Sequence, residues 1–392
     1  MTTRTGRHFL QIPGPSPVPE RILRAIDRAT IDHRGPAFAE LGQRVLQGMQ
    51  RIFQTSHPVI IYPASGTGAW EAALVNTLSP GDAVLMYETG QFATLWQRLA
   101  ERLGLQPEML PGDWRHGADP GQIEARLRHD AHGRIKAVCV VHNETSTGVA
   151  SDIPAVREAI DRAGHPALLM VDTISSLGSI DYQAEAWGVD VTVGGSQKGL
   201  MMPPGLSFNA LSEKALAANR RAGLARAYWD WAEMLAVNRA GYFPYTPATN
   251  LLFGLDEAIR MLLDEGLPHV FARHALLARA TRAAVAAWGL DTVCADSARH
   301  SNVLTAVLMP EGHLEEDFRR TVLDRFDMSL GAGLGKLRGR AFRIGHLGDI
   351  NALTLMGTLA GVEMGLACAG VPHRSGGVQA AMALIAQAGQ PA

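Results

Sequence analysis

The sequence predicts an α/β protein: a large domain wound around a mostly parallel sheet, followed by a smaller α+β domain. Three observations carry that expectation. The chain has 392 residues, two to three times the commonest domain size, so it can hold more than one core. As far as about residue 211, short apolar runs alternate with longer stretches of helical period, the rhythm of βα winding. The 41 glycines and 21 prolines are scattered without a period and supply turns, not a collagen-like or low-complexity chain. Basic residues number 36 and acidic ones 38, for a net charge of -2. That balance argues against disorder and against bulk nucleic-acid binding.

The elements follow in order. Pro13, Pro15, Pro17 and Pro19 mark an N-terminal arm over residues 1–20. The apolar runs 59–62, 84–87, 136–141, 168–171 and 189–193 read as strands, with helices over 91–103 and 153–163 between them and right-handed crossovers. These belong to a large domain over 21–265. Residues 251–288 are helical for longer than one ordinary helix and break near Gly266 and Pro268, where the boundary to the small domain, 266–392, is expected. That domain offers a strand over 304–309, a helix over 314–326, a turn with Gly331, Gly333 and Gly335, a strand over 341–344 and a last helix from about Asn351. Glu363 interrupts the apolar segment 352–370, which reads as a buried helix and not a bilayer span. Cys139, Cys294 and Cys368 lie far apart and read as buried thiols of a cytoplasmic protein. Residues 1–10 carry Arg4, Arg7 and His8 with no apolar stretch of signal-peptide length behind them, so secretion is not expected.

Three groups carry chemistry. Ala64-Ser65-Gly66-Thr67-Gly68 lies between an apolar run and the helix-forming Trp70-Glu71-Ala72-Ala73-Leu74. A strand, tight turn and helix start of this kind can cradle a phosphate on backbone amides; an ordinary helix cap is the other reading, since a P-loop lysine and a third fingerprint glycine are absent. Asp172 closes an apolar strand, where open α/β sheets bind ligands; it can pair with a ring N–H or a metal, or cap the next helix. Lys198 follows another strand among small residues, Gly194-Gly195-Ser196-Gln197-Lys198-Gly199. Burial there favours the neutral amine, the nucleophile of Schiff-base chemistry. Together, a phosphate cradle, an acid and a lysine fit pyridoxal 5'-phosphate.

Over nearly its whole length the chain resembles the fold-type I, class V pyridoxal-phosphate aminotransferases of the serine-glyoxylate and alanine-glyoxylate group. The residues that carry the resemblance are Pro13-Gly14-Pro15, Ala64 to Gly68, His142-Asn143-Glu144-Thr145-Ser146-Thr147-Gly148, Val171-Asp172, Gly195 to Gly199, Pro203-Pro204-Gly205, Gly241-Tyr242-Phe243-Pro244-Tyr245-Thr246-Pro247 and Phe342-Arg343-Ile344-Gly345-His346. The resemblance implies that Lys198 is the Schiff-base lysine, Asp172 the partner of the pyridine nitrogen and Thr145 the hydroxyl on the phenolic oxygen. Phe92 and Ile174 would take the two ring faces. Ser65, Gly66, Thr67, Gly68 and Gln197 would lie on the phosphate side, with Tyr245 beside them and Thr246 reaching the phosphate from the partner subunit of a homodimer. Arg343 would hold the substrate carboxylate, with Gly14, Tyr242 and His346 nearby. Two departures, Phe92 where some relatives carry Trp and Ala69 where a mammalian member carries His, predict fewer polar contacts to the cofactor.

Arg343 has a case of its own, because a guanidinium grips a carboxylate through two parallel hydrogen bonds; a salt bridge to Asp349 is the alternative. His33-Arg34-Gly35-Pro36 is a second anion candidate or a solvated turn. The expected reaction is transamination from a small amino acid to glyoxylate. Serine ranks ahead of aspartate and alanine, and Arg34 is the spare cation an aspartate donor would need. His269 and His274 share no helix face, and neither an H-E-x-x-H motif nor paired cysteines occur, so no metal site is expected. A cysteine desulfurase would need its cysteine on a mobile loop, a regulator would need a DNA-reading domain, and a serine hydrolase would need G-x-S-x-G. None of these patterns is present.

Overall fold

The computed structural model describes residues 6–388; Arg4 and the outermost residues of the expected arm and small domain, 1–5 and 389–392, lie outside the described residues. Strand β1 (Phe9–Gln11) opens the chain, followed by β2 (Val59–Tyr62), β3 (Ala83–Tyr87), β4 (Gln106–Leu110) and β5 (Ile135–Val141). A two-strand hairpin, β6 (Asn143–Glu144) and β7 (Val149–Ala150), leads to β8 (Leu168–Asp172), β9 (Val191–Gly195) and β10 (Ser207–Leu211). Seven of these form one sheet in the order β2-β10-β9-β8-β5-β3-β4. β10 runs antiparallel to β2 and β9, and the other pairings are parallel.

The near-continuous apolar runs that signalled strands have a physical reason: helices cover both faces of the sheet. Period-two alternation divides each strand between two cores. Val138 and Val140 of β5 and Leu169 and Val171 of β8 enter one; Ala137, Cys139, Leu168 and Met170 enter the other. A third core holds the C-terminal helices Glu315–Phe326, Ala352–Cys368 and Gly377–Ala388 with β12 (Met328–Leu330) and β13 (Ala341–Gly345). β13 pairs antiparallel with β11 (Leu304–Leu308), and β12 pairs parallel with β1. The long helical stretch divides at Gly266 into Thr249–Glu265 and Leu267–Trp288. The second helix spans two cores, since Val270 belongs to the first and Leu277 to the third.

Several expectations need correction. The strand read at 189–193 forms at Val191–Gly195. β4 and β10 of the large sheet were not foreseen, nor were the short strands β1, β6, β7 and β12. The helix at Ala352–Cys368 is not the last, because Gly377–Ala388 packs behind it on Leu267–Trp288. Cys368 is exposed at its helix end, while Cys139 and Cys294 are buried. Among the described residues no helix is long and apolar enough to cross a membrane, and no group of His, Cys, Asp or Glu is arranged to hold a metal ion.

Candidate active site

The carboxyl ends of β5, β8 and β9 are neighbours, and a cavity opens there, the usual ligand position of a parallel sheet. β8 delivers Asp172 to it and the turn after β9 delivers Lys198. Asp172 is 4% exposed. Its Oδ1 accepts from the Ile174 amide at 2.7 Å and its Oδ2 from the Trp70 indole at 3.1 Å. Burial pushes the Asp172 carboxyl up to about 7, with Glu144 adding to the rise and the Ile174 and Trp70 hydrogen bonds opposing it. Lys198 is pushed down to about 8, chiefly by burial and secondly by the Arg343 charge, against the attraction of Asp172. A buried acid and a buried amine thus face one cavity with values close to neutrality.

The N-terminal arm closes over the lysine. Lys198 Nζ donates to the Pro13 carbonyl, and Ser16 Oγ donates to the Lys198 carbonyl at 2.9 Å. Gly14 has φ +100°, and a Cβ there would overlap the Lys198 side chain, so both conformation and space demand glycine.

Opposite, the helix Gly66–Val75 begins at the cavity with Ser65 as its N-cap and no side-chain cap bond. Its first amides are left for an anion. Ser65, Gly66 and Thr67 line the cavity, whereas Gly68 does not; it packs on Ala64 and Trp229. Gly66 leaves room for Ile174, whose side chain a Cβ would strike. Phe92, Thr145, Ile174 and Gln197 all line the cavity. Trp70, Val141, Asn143 and Ser175 do so as well, although the sequence reading assigned them nothing. Gln197 Oε1 and Asn143 Oδ1 are buried without a hydrogen-bond partner, which marks the cavity as one that a polar ligand would satisfy.

Arg343 lies on β13, is 8% exposed and, like Gly14, is not among the residues that line the cavity. Its Nη1 donates to the Thr145 carbonyl at 2.8 Å and its Nε to the Ala332 carbonyl at 2.7 Å. The salt bridge to Asp349 does not form. Burial pushes the guanidinium down to about 10, which leaves it charged at neutral pH.

Other expected residues stand elsewhere in the chain. Tyr245 donates its hydroxyl to the Ile61 carbonyl at 2.7 Å and stacks on Tyr228. Thr246 and Arg34 are exposed; Tyr242 packs against the first core. His346 is fully buried, pairs with Thr305 Oγ1 at 3.0 Å, and is pushed down to about 3 by burial. None of these five lines the cavity of its own chain, and neither do the three cysteines.

The family model for aminotransferase class-V matches residues 8–334. The chain is 48% identical over 391 residues to the serine–glyoxylate aminotransferase of Methylorubrum extorquens, covering 98% of this chain and 97% of that one. It is 41% identical over 379 residues to the L-aspartate–glyoxylate aminotransferase of Paracoccus denitrificans, covering 96% of each. Among solved structures, the ureidoglycine-glyoxylate aminotransferase of Bacillus subtilis matches with a TM-score of 0.89 at 27% identity, over 98% of this chain and 100% of that one.

Proposed function

The chain belongs to the class-V aminotransferases, and from that membership we propose that it uses pyridoxal 5'-phosphate to move the amino group of serine to glyoxylate, giving hydroxypyruvate and glycine. The observation that carries the reading is the buried pair, Lys198 and Asp172, on the walls of one cavity. The residues present fit the cofactor: an uncapped helix start for a phosphate, two unpartnered buried amide oxygens, and apolar Phe92 and Ile174 for a flat ring. When bound, pyridoxal 5'-phosphate takes up an amino group covalently and draws electron density from the carbon beside it.

The side chains divide the remaining work. Lys198 Nζ, pushed down to about 8, has enough neutral amine at neutral pH to hold the cofactor's aldehyde carbon by condensation, the oxygen leaving as water, and once free would move the α-proton of the amino acid. Asp172 would keep a proton on the cofactor's ring nitrogen, and its bonds to Ile174 and Trp70 fix the carboxylate for that task. Arg343 is braced by two carbonyls, so the rest of its fork can orient a substrate carboxylate. Phe92 and Ile174 exclude water.

The serine reading is supported by the 48% identity to a protein named for serine, against 41% for one named for aspartate. Arg34, the cation that aspartate would need, does not line its own chain's cavity. Thr246 is exposed, as suits a group serving the second site of a homodimer. The unpaired cysteines suit the reducing cytoplasm, and we retain the division into residues 1–20, 21–265 and 266–392. Two measurements test the reading. Visible absorbance from the bound cofactor must appear and be lost on adding borohydride. Specificity constants for serine, alanine and aspartate with glyoxylate must favour serine; a clear aspartate preference abolished by Arg34→Ala overturns the choice of donor.

A further inference from the structure

Glu144 is a fully buried carboxylate that the proposed chemistry does not use. It does not line the cavity, yet it receives four hydrogen bonds. Oε1 accepts from the Ser146 amide at 3.0 Å, the Ser146 hydroxyl at 2.6 Å and the Phe92 amide at 3.3 Å; Oε2 accepts from the Ala93 amide at 3.2 Å. Three of the four are backbone amides, which can only donate, and the Ser146 hydroxyl can donate as well, an arrangement that suits a carboxylate. Burial pushes Glu144 up, and these bonds oppose the rise.

Two of the four donors, the Phe92 and Ala93 amides, belong to the start of helix Gln91–Arg102, whose own N-cap is Gly90 with no side chain to offer. Ser146 Oγ accepts from the Gln91 amide at 2.9 Å. The first three amides of that helix are therefore capped from the β6–β7 turn. Gly90 is extended, and its need for glycine is spatial: a Cβ would strike Glu144 and Ser146. The helix carries Phe92 into the cavity, and the turn carries Thr145, whose carbonyl receives Arg343. One carboxylate thus sits between the ring-covering side chain and the carboxylate clamp.

We propose that Glu144 is a positioning residue: through Ser146 and the amides of residues 91–93 it fixes the Phe92 ring against the cofactor and keeps it in register with Thr145 and Arg343. The proposal rests on the cofactor reading above. Glu144→Gln is the direct test, because an amide NH2 at either oxygen position meets a donor and pushes the helix start away. Ser146→Ala is the milder variant that keeps the carboxylate. In Glu144→Gln, the dissociation constant for pyridoxal 5'-phosphate rises about tenfold, an energy of about 1.4 kcal/mol, and the visible circular dichroism of the bound cofactor changes shape. Ser146→Ala moves both in the same direction by about threefold. In a Phe92→Leu background, Glu144→Gln adds less than twofold, since the two act on one ring contact. The proposal is overturned if Glu144→Gln lowers only the melting temperature of the cofactor-free protein, or if its effect and that of Phe92→Leu multiply independently. Wild-type protein that fails to bind the cofactor removes the functional reading and this proposal together; intact wild-type binding with an unresponsive Glu144 removes this proposal alone.

Discussion

Burying an ammonium destabilises the cofactor-free fold, and Lys198 makes that testable. Its value falls from the ordinary 10.5 to about 8, so the folded chain gives up the proton more readily than the unfolded one. The penalty is complete below pH 8 and fades as pH rises to 10.5. Lys198→Met should therefore stabilise the cofactor-free protein by about 3 kcal/mol at pH 7, with the gain shrinking between pH 8 and 10.5 in denaturant titrations, while turnover is lost. Asp172→Asn should bind cofactor and lose two to three decades of turnover, on the order of the 4 kcal/mol of a close charge pair, read from single-turnover rates with serine. Arg343→Lys should weaken serine binding by about 2 kcal/mol, because a point charge cannot replace the fork; steady-state KM at low conversion checks it. Lys198, Asp172 and Arg343 were legible because each is a charged residue in an apolar strand or among small neighbours, where only chemistry or a partner explains it. Trp70, Asn143 and Ser175 were not, since an aromatic in an apolar helix and polar residues in a turn have ordinary structural uses. Tyr242 and His346 do not line the cavity of their own chain, because sequence adjacency to the site motifs says nothing about which side of a strand or turn a side chain takes.

At the scale of elements, the parallel strands were readable because burial on both faces makes them uniformly apolar. The strands missed are those whose composition departs from this. β4 carries Pro107 and Glu108 at the sheet edge, where proline is tolerated. β10 holds Ser207 and Asn209 inside the sheet, and Asn209 is satisfied by the Tyr62 hydroxyl and by the Ala69 and Thr192 carbonyls. Polar residues in a short run hide a strand unless their partners, here Tyr62 and Ala69 far away in the chain and Thr192 nearby, are known. The helix Gly377–Ala388 was missed; Pro372, Ser375, Gly376 and Gly377 are residues that read as a turn, and they serve as its entry. The arm and the lysine turn yield a test at this scale. Gly14→Ala should leave the melting temperature within a few degrees but displace Lys198, so cofactor capture, followed by absorbance after mixing, should slow by at least tenfold.

For the whole molecule, the shared-site reading predicts complementation. Lys198→Ala protein and a Tyr245→Phe, Thr246→Ala double variant, each inactive alone, should regain up to about a quarter of wild-type activity after subunit exchange, the statistical share of one intact site in half the dimers. Activity that stays absent after proven exchange excludes a shared site. The arm also has a consequence in time. β1 leaves a ribosome before its partner β12, which lies some three hundred residues later, and at ordinary synthesis speeds that is a delay of tens of seconds. During that interval the nascent large domain can form its sheet while the lysine turn stays uncovered, and the arm can settle over it only once the distant strand has emerged. The stretch of message that encodes β12 therefore times the closing of a site whose lysine and acid were encoded well before it.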